Sequence, residues 1–370
     1  MLTESRFKFA LESLKKYVMM ENEKAFLFSP DLIYHNLLMI YFGVRDENFL
    51  REILHIPDYI SRAVIKQYYA FGGNLQFFRM TEPEDPYTRC AIYSRFWISK
   101  TKNIKNTTHE LFNSHHQVMD YVFAINPERG RKFVNNTITC ITKHKIKNLL
   151  PPDSINRNTE GVLFNALYCN GELDGNFELN ITDIKDHTSQ YLGARIIEIP
   201  VKKRNISTFF LFPRYSDKNN VQKDGIIQLM ERLTTEETSL KLHEFLDNRL
   251  RIAGSQKRSQ KKHPLPIFKI EEELRTNELL EILGIPELIP RGTIELVDFT
   301  KESLKLGDIV HRINIEMTKK NFTASASNAF FTNCSCQFER THINKSVARN
   351  KCICLIYNRF QRNILFCGVV

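Results

Sequence analysis

Lys319-Lys320-Asn321-Phe322-Thr323-Ala324-Ser325-Ala326-Ser327-Asn328-Ala329 joins two kinds of sequence. Its first four residues are charged, polar or bulky, and those from Thr323 through Ala329 are all small. A flexible linker would carry glycine or proline, and the small run has neither. Just upstream, Ile309 to Met317 alternates apolar and polar residues as a strand does. Downstream, Cys352 to Tyr357 and Asn363 to Cys367 read as a closing hairpin around Asn358-Arg359.

Working back from there, the chain turns helical. Glu4 to Met20 carries apolar residues at roughly helical spacing. Phe26-Leu27-Phe28 is a short strand. Ser29-Pro30 opens a second helix, because serine caps and proline fits a first turn. That helix, ended by Gly43, is apolar on nearly every side and reads as buried. Glu47 to Leu54 reads as a short helix. Strands are expected at Cys90 to Ile98, which holds the lone Trp97, at Val162 to Cys169, at Ile206 to Phe212 and at Leu265 to Ile270. Helices are expected at Arg131 to Leu150, Leu229 to Leu246 and Leu274 to Leu283. Helices dominate early and strands late, which implies an α+β fold with large mixed or antiparallel sheets.

The 370 residues, 42% hydrophobic and 25% charged, are ordinary globular composition without a repeat, so a single domain over 1–370 is expected. The amphipathic start has no signal-peptide form, and no stretch reaches the roughly 18 apolar residues of a membrane helix. A soluble cytoplasmic protein with mostly free thiols among its eight cysteines is expected. The net charge of +10 is spread along the chain, apart from Lys257-Arg258 and Lys261-Lys262-His263. That cluster reads as a solvated loop, so no nucleic-acid partner is expected. Cys334-Ser335-Cys336 and Cys352-Ile353-Cys354 lack the usual metal-site spacing, so no metal or other cofactor is expected. There is no G-x-S-x-G, no H-E-x-x-H and no P-loop, and the chain does not read as an enzyme.

Landmarks in order along the chain carry a family resemblance. They are Phe28-Ser29-Pro30 with Gly43, Val134-Asn135-Asn136, Lys145-Ile146-Lys147-Asn148-Leu149-Leu150, and Asn165-Ala166-Leu167-Tyr168-Cys169-Asn170-Gly171. Then come Leu265-Pro266-Ile267-Phe268-Lys269-Ile270, Leu283-Gly284-Ile285, Val310-His311, and the closing Asn363-Ile364-Leu365-Phe366-Cys367-Gly368-Val369-Val370. Together they resemble a serpin, closest to the intracellular ovalbumin-like and poxvirus members. The resemblance implies a large central sheet with additional sheets, about eight or nine helices, and an exposed reactive loop at about 317–347. It implies a monomer that traps a target protease: the protease attacks a bait bond, and the cleaved loop then inserts into the main sheet. Residues 319–329 form the hinge of that loop. Inserting residues must be small, since overpacking a prepared slot costs roughly 1–3 kcal/mol per site.

Four departures from the family pattern stand out. Lys319-Lys320-Asn321-Phe322 replaces the usual E-E-G-T, which removes a flexible glycine and puts a bulky Phe322 where a small residue enters first. Leu173 stands where the family has tryptophan, so Phe322 is expected to fill the vacated space. The run Glu178 to Arg195 is short where the family carries strands of a second sheet, and Asn350-Lys351-Cys352 replaces H-P-F. Counting forward from the hinge puts the bait bond at Ser335-Cys336; counting back from Cys352 puts it at Arg340-Thr341. Two function classes stay open: an intracellular serine or cysteine protease inhibitor, modulating apoptosis or inflammation, or a non-inhibitory protein of the same fold that acts by binding a partner.

Overall fold

In the computed structural model, residues 2–21, 24–69, 88–99, 101–112, 118–120, 125–173, 192–201, 205–213, 225–247, 267–275, 283, 294–302, 304–332, 345–346 and 351–370 are described. Helix α1 (Thr3–Glu21) buries Phe7, Leu11, Leu14 and Val18 on one side. Strand β1 (Phe26–Phe28) follows, then α2 (Pro30–Gly43). Ser29 caps α2 by accepting the Leu32 N–H, and Pro30 sits in the first turn, as the sequence implies. Nearly all of α2 is buried. Short α3 (Asn48–Ile53) and α4 (62–69) pack nearby.

The main sheet is built from β2 (Thr88–Ile98), β3 (Val118–Asp120), β4 (Gly161–Glu172), β7 (Phe268–Arg275), β9 (Leu304–Met317), β10 (Asn321–Thr332) and β11 (Lys345–Ser346). Their order is β11-β7-β9-β10-β4-β2-β3, antiparallel except for the parallel β2–β3 pair. Strand β8 (Glu295–Leu296) pairs with β9 off that path. A second, antiparallel sheet runs β1-β13-β12-β6-β5, from β5 (Ala194–Pro200), β6 (Ile206–Pro213), β12 (Ile353–Asn358) and β13 (Asn363–Val369). It is an α+β fold with a mixed central sheet, as expected.

Two cores follow from the alternation of side chains along the strands. One face of the main sheet, with Ile313, Ile315 and Met317, meets Phe210, Cys354 and Leu365 of the second sheet. The other face, with Trp97, Val162, Phe164 and Val310, is covered by Val134 and Ile138 of α6 (Pro127–Ile141). Helices α5 (Asn106–Leu111), α7 (Gly225–Leu233) and α8 (Glu236–Asp247) complete the named elements.

Several expectations are corrected. The helix read over Arg131 to Leu150 ends at Ile141, where Lys143 and His144 take left-handed backbone with φ of 50° and 61°. The chain then doubles back, and the Asn135 amide clamps it by donating to Leu150 O and accepting from Leu150 N, both at 2.8 Å. The helix read over Leu229 to Leu246 is two, broken at Thr234-Thr235, whose hydroxyls bond to carbonyls of the turn behind them. Leu274 lies within the strand β7 (Phe268–Arg275) rather than starting a helix, and residues 276–282 of the helix expected there lie outside the described residues. Most of the shortened run 178–195 and the cluster Lys257 to His263 lie outside the described residues. The largest correction concerns the loop: residues 321–332 form the strand β10 inside the main sheet, buried throughout from Ala324 to Thr332.

Gly368 shows how tightly the second sheet closes. A Cβ there would sit 2.0 Å from Phe26 O and 2.8 Å from Leu27 Cα, both rigid backbone atoms. Gly368→Ala is therefore expected to lower stability by about 3 kcal/mol, read as a drop in thermal or denaturant midpoint.

Candidate functional site

β10 is flanked on both sides. Its residues pair with β4, from Asn321 opposite Glu172 to Phe331 opposite Val162, and with β9, from Phe322 opposite Met317 to Phe330 opposite Ile309. The connection from β9 is a tight turn at Lys319-Lys320. Thr318 N donates to Asn321 O at 2.9 Å, and Thr318 Oγ1 accepts from Asn321 N at 3.0 Å. Asn321 does not use left-handed backbone, so this turn has no need of the glycine that the family pattern places there.

The two faces of β10 have different surroundings. Phe322, Ala324 and Ala326 join the core between the sheets, and Phe330 joins the core around α1 and α2. Ala329 and Phe331 face α6. On that side Ser327 Oγ donates to Asn165 O at 2.8 Å. All residues from Ala324 through Thr332 are buried, while Lys319, Lys320 and Asn321 are exposed and Thr323 is half-buried. Small side chains at 323–327 are what lets the strand fill a gap between two others without overpacking. Reading the sequence ended this run at Ala329, but the strand continues through Phe330, Phe331 and Thr332, whose bulk is housed in the cores on either side.

Phe322 is 1% exposed and shares a core with Leu173, Met317, Phe268 and Val201. Leu173 N also donates to Lys320 O at 2.7 Å, and Leu173 bridges to Val201. The bulky residue that looked like an obstacle is thus seated in the inserted strand, in the same cluster as the leucine that replaces tryptophan. Ser335, Cys336, Arg340 and Thr341, the bait-bond candidates, lie outside the described residues.

A row of polar groups crosses the slot beneath α2, and sequence reasoning missed most of it. His311, Asn328 and Asn165 are paired neighbours on β9, β10 and β4, and all are fully buried. Ser29 N donates to His311 Nε2 at 3.2 Å, Ser29 Oγ donates to Leu365 O at 2.7 Å, and Asn165 Nδ2 donates to Asn36 Oδ1. The available signal was a polar residue inside an apolar strand, Asn165 within Val162 to Cys169. Burial pushes His311 down to about 3 and His35, held between Tyr69 Oη and Ser94 Oγ, down to about 4.

The thiols divide. Cys140, Cys352, Cys354 and Cys367 are free, while Cys169 is disulfide-bonded. Burial pushes the Cys352 thiol up to about 12, and raises those of Cys354 and Cys367 further, so these are inert core groups. Among the described residues no group of three or more His, Cys, Asp or Glu is placed to hold a metal ion.

Two measurements test this geometry. Both histidines have folded pKa values below the ordinary 6.5, so their neutral forms stabilise the fold above that pH and this contribution is lost as pH falls through 6.5 towards 4 and 3. The denaturation midpoint is expected to fall over that window, by about 1.4 kcal/mol per pH unit for each histidine. His311→Gln keeps an acceptor for Ser29 and should remove one histidine's share of the slope. Separately, Phe322→Thr is expected to cost the inserted form about 2–4 kcal/mol. A variant that melts like the parent would show that Phe322 does not fill the space beside Leu173.

Comparison with known proteins agrees with this arrangement. The family model described as Serpin (serine protease inhibitor) matches residues 4–191 and 182–370. Human Serpin B3 is 25% identical over 364 residues, covering 89% of this chain and 88% of that protein. Serine protease inhibitor 88Ea of Drosophila melanogaster is 23% identical, covering 94% and 85%. Among solved structures, cleaved Serpin 42Da superposes with a TM-score of 0.71 at 17% identity, covering 100% of this chain and 97% of that one. The thermophilic serpin tengpin in its latent state gives 0.70 at 15% identity, covering 100% and 96%. Matched by the family model along its whole length and built around the same sheet, this chain belongs to the serpin family.

Proposed function

We propose that the protein is a protease inhibitor that works by inserting its own loop. The observation that carries this reading is β10: residues 321–332 fit between β9 and β4 with continuous pairing on both edges. A strand that inserts satisfies backbone groups that would otherwise line an open gap, and this gain drives the conformational change. The small residues of the hinge, the absence of left-handed backbone at Asn321 and the seat for Phe322 all support insertion. They weigh against two of the grounds for a purely partner-binding role, the residues at 319–322 and at Leu173.

The bait bond lies beyond Thr332, at Ser335-Cys336 on the forward count. That count follows from the hinge, because the length inserted is fixed by the sheet while the far side of the loop varies. A chymotrypsin- or elastase-like protease fits Ser335; a trypsin-like one fits Arg340. In the described arrangement the strand is already in the sheet, so the inhibitory form is the one with residues 321–332 outside it. The protease forms an acyl-enzyme on the bait bond, and insertion then carries it along before water can release it.

The working partner is a protease, with the inhibitor acting as a monomer in the cytoplasm and without nucleic acid or membrane. The cytoplasmic setting is suggested by the resemblance to intracellular members and by the four free thiols among the described residues, and the Cys169 disulfide stands against it. A role in apoptosis or inflammation rests on the resemblance to ovalbumin-like and poxvirus members alone.

The test is incubation of freshly refolded chain with a panel of serine and cysteine proteases. A complex that survives boiling in detergent is expected with at least one, along with a higher melting temperature for loop-cleaved chain than for the uncleaved inhibitory fraction. If every protease in the panel only cleaves the loop and leaves no complex, the reading fails.

A further inference from the structure

Cys169 is disulfide-bonded, while Cys140, Cys352, Cys354 and Cys367 are free. The sequence holds eight cysteines, so the partner within the chain is Cys90, Cys334 or Cys336. Strand register separates these three. Cys169 lies on β4 directly opposite Ala324 of β10. From Ala324, β10 runs on to Thr332, about 26 Å away at the usual rise of a strand. From Thr332 a fully extended chain reaches Cys336 in at most about 14 Å, and Cys334 in less. Both therefore stay about 12 Å or more from Cys169, beyond the roughly 7 Å between Cα atoms that a disulfide spans. Cys90 sits on β2 directly opposite Cys169. Directly opposed residues of an antiparallel pair share a face and stand about 4.5–5.5 Å apart at Cα, which is inside the disulfide range.

We propose that Cys90 and Cys169 form a cross-strand disulfide that staples β2 to β4, so that the firmness of one wall of the slot depends on redox state. The pairing stands on register alone; its bearing on the slot rests on the insertion reading above. The row at this level runs Cys90, Cys169, Ala324, Ile315 and Ile270 across β2, β4, β10, β9 and β7. Cys169 thus has the staple on one flank and the inserted strand on the other. The closed loop runs from Cys90 to Cys169 and takes in α6, so the bond restricts the unfolded chain over a long stretch. Forming it needs a low-molecular-weight disulfide as oxidant. One cysteine thiolate attacks that disulfide, releases one small thiol and leaves a mixed disulfide. The second thiolate then attacks the protein sulfur and releases the other small thiol. The two protein thiols lose two electrons and two protons, and the oxidant becomes two thiols. Cys169 is fully buried in the core between the sheets, so a reductant reaches the bond only when the sheet opens locally.

The test has two steps on the full chain, both without protease, so that a failure of inhibition leaves them readable. Free thiols are first alkylated in the folded chain, and peptides of the unreduced protein are mapped by mass spectrometry. A peptide pair linked through Cys90 and Cys169 is expected. A link from Cys169 to Cys334 or Cys336, or Cys169 recovered only as a free thiol, would overturn the pairing. Amide hydrogen exchange is then compared in the oxidised parent, the parent reduced and alkylated after brief unfolding and refolding, and Cys90→Ala. Loss of the bond is expected to speed exchange at 89–92 and 167–170 by about tenfold or more, while the β12–β13 pairing exchanges as in the oxidised parent. Cys90→Ala should match the reduced parent and show no response to reductant, which separates the bond from the volume of the side chain. The oxidised and reduced parent give the same comparison without any substitution. Equal exchange in those two forms would overturn the staple, since β2–β4 pairing would then hold the wall without it.

Discussion

β10 takes its hydrogen bonds from two strands at once, and the rest of the molecule is arranged around that double pairing. Between β9 and β4 it joins β7 on one flank to β2 on the other, so in this arrangement the main sheet is continuous through these residues. A strand in the middle of a sheet must match both neighbours in register and both layers in side-chain size. The Lys319-Lys320 turn fixes the register against β9, because a two-residue connection leaves no slack. The layers fix the sizes: alanines where the second sheet lies close, phenylalanines at either end where there is room.

Helix α2 is the other half of this arrangement. It runs beneath the slot, capped by Ser29, and offers polar groups upward in its first two turns. Ser29 reaches both His311 on β9 and Leu365 on β13, so one serine ties the main sheet to the second one. Asn36 reaches Asn165 on β4. The strands on either side of β10 are thus anchored to the same helix, and the entering strand meets that helix at Asn328. Fully buried, partly unsatisfied polar rows are poor stabilisers but good discriminators, because a wrong occupant strands several groups together.

The departures at the hinge acquire a physical meaning in the same frame. Replacing glycine by Asn321 would matter if the turn required positive φ, and it does not. Phe322 would matter if its seat were already filled. Leu173 is smaller than tryptophan, and Phe322 packs into the same cluster. The sequence changes at 173 and 319–322 are therefore one change in two places, a local repacking at the entrance to the slot.

Much was legible from residues alone. The capped and buried α2, the alternating β9, the closing hairpin and the small run from Thr323 each follow from local rules of capping, periodicity and size, and their order along the chain pointed to the family. The sequence also marked Phe322 and Leu173 as a pair. It did not say where the small run lies: alanine and serine suit an exposed loop and an inserted strand equally, and only the partners β9 and β4 decide between them. Nor did it show that His311, Asn328 and Asn165 share one row, since they are brought together by register across three strands rather than by spacing along one. Helix ends at Ile141 and Leu233 were set by side-chain hydroxyls and an amide clamp from distant positions. The sequence by itself determined which segments could become strands and which of them could slide into a sheet; the tertiary structure decided which segment did, because hydrogen bonds on both edges of β10 exist only once the whole sheet has formed.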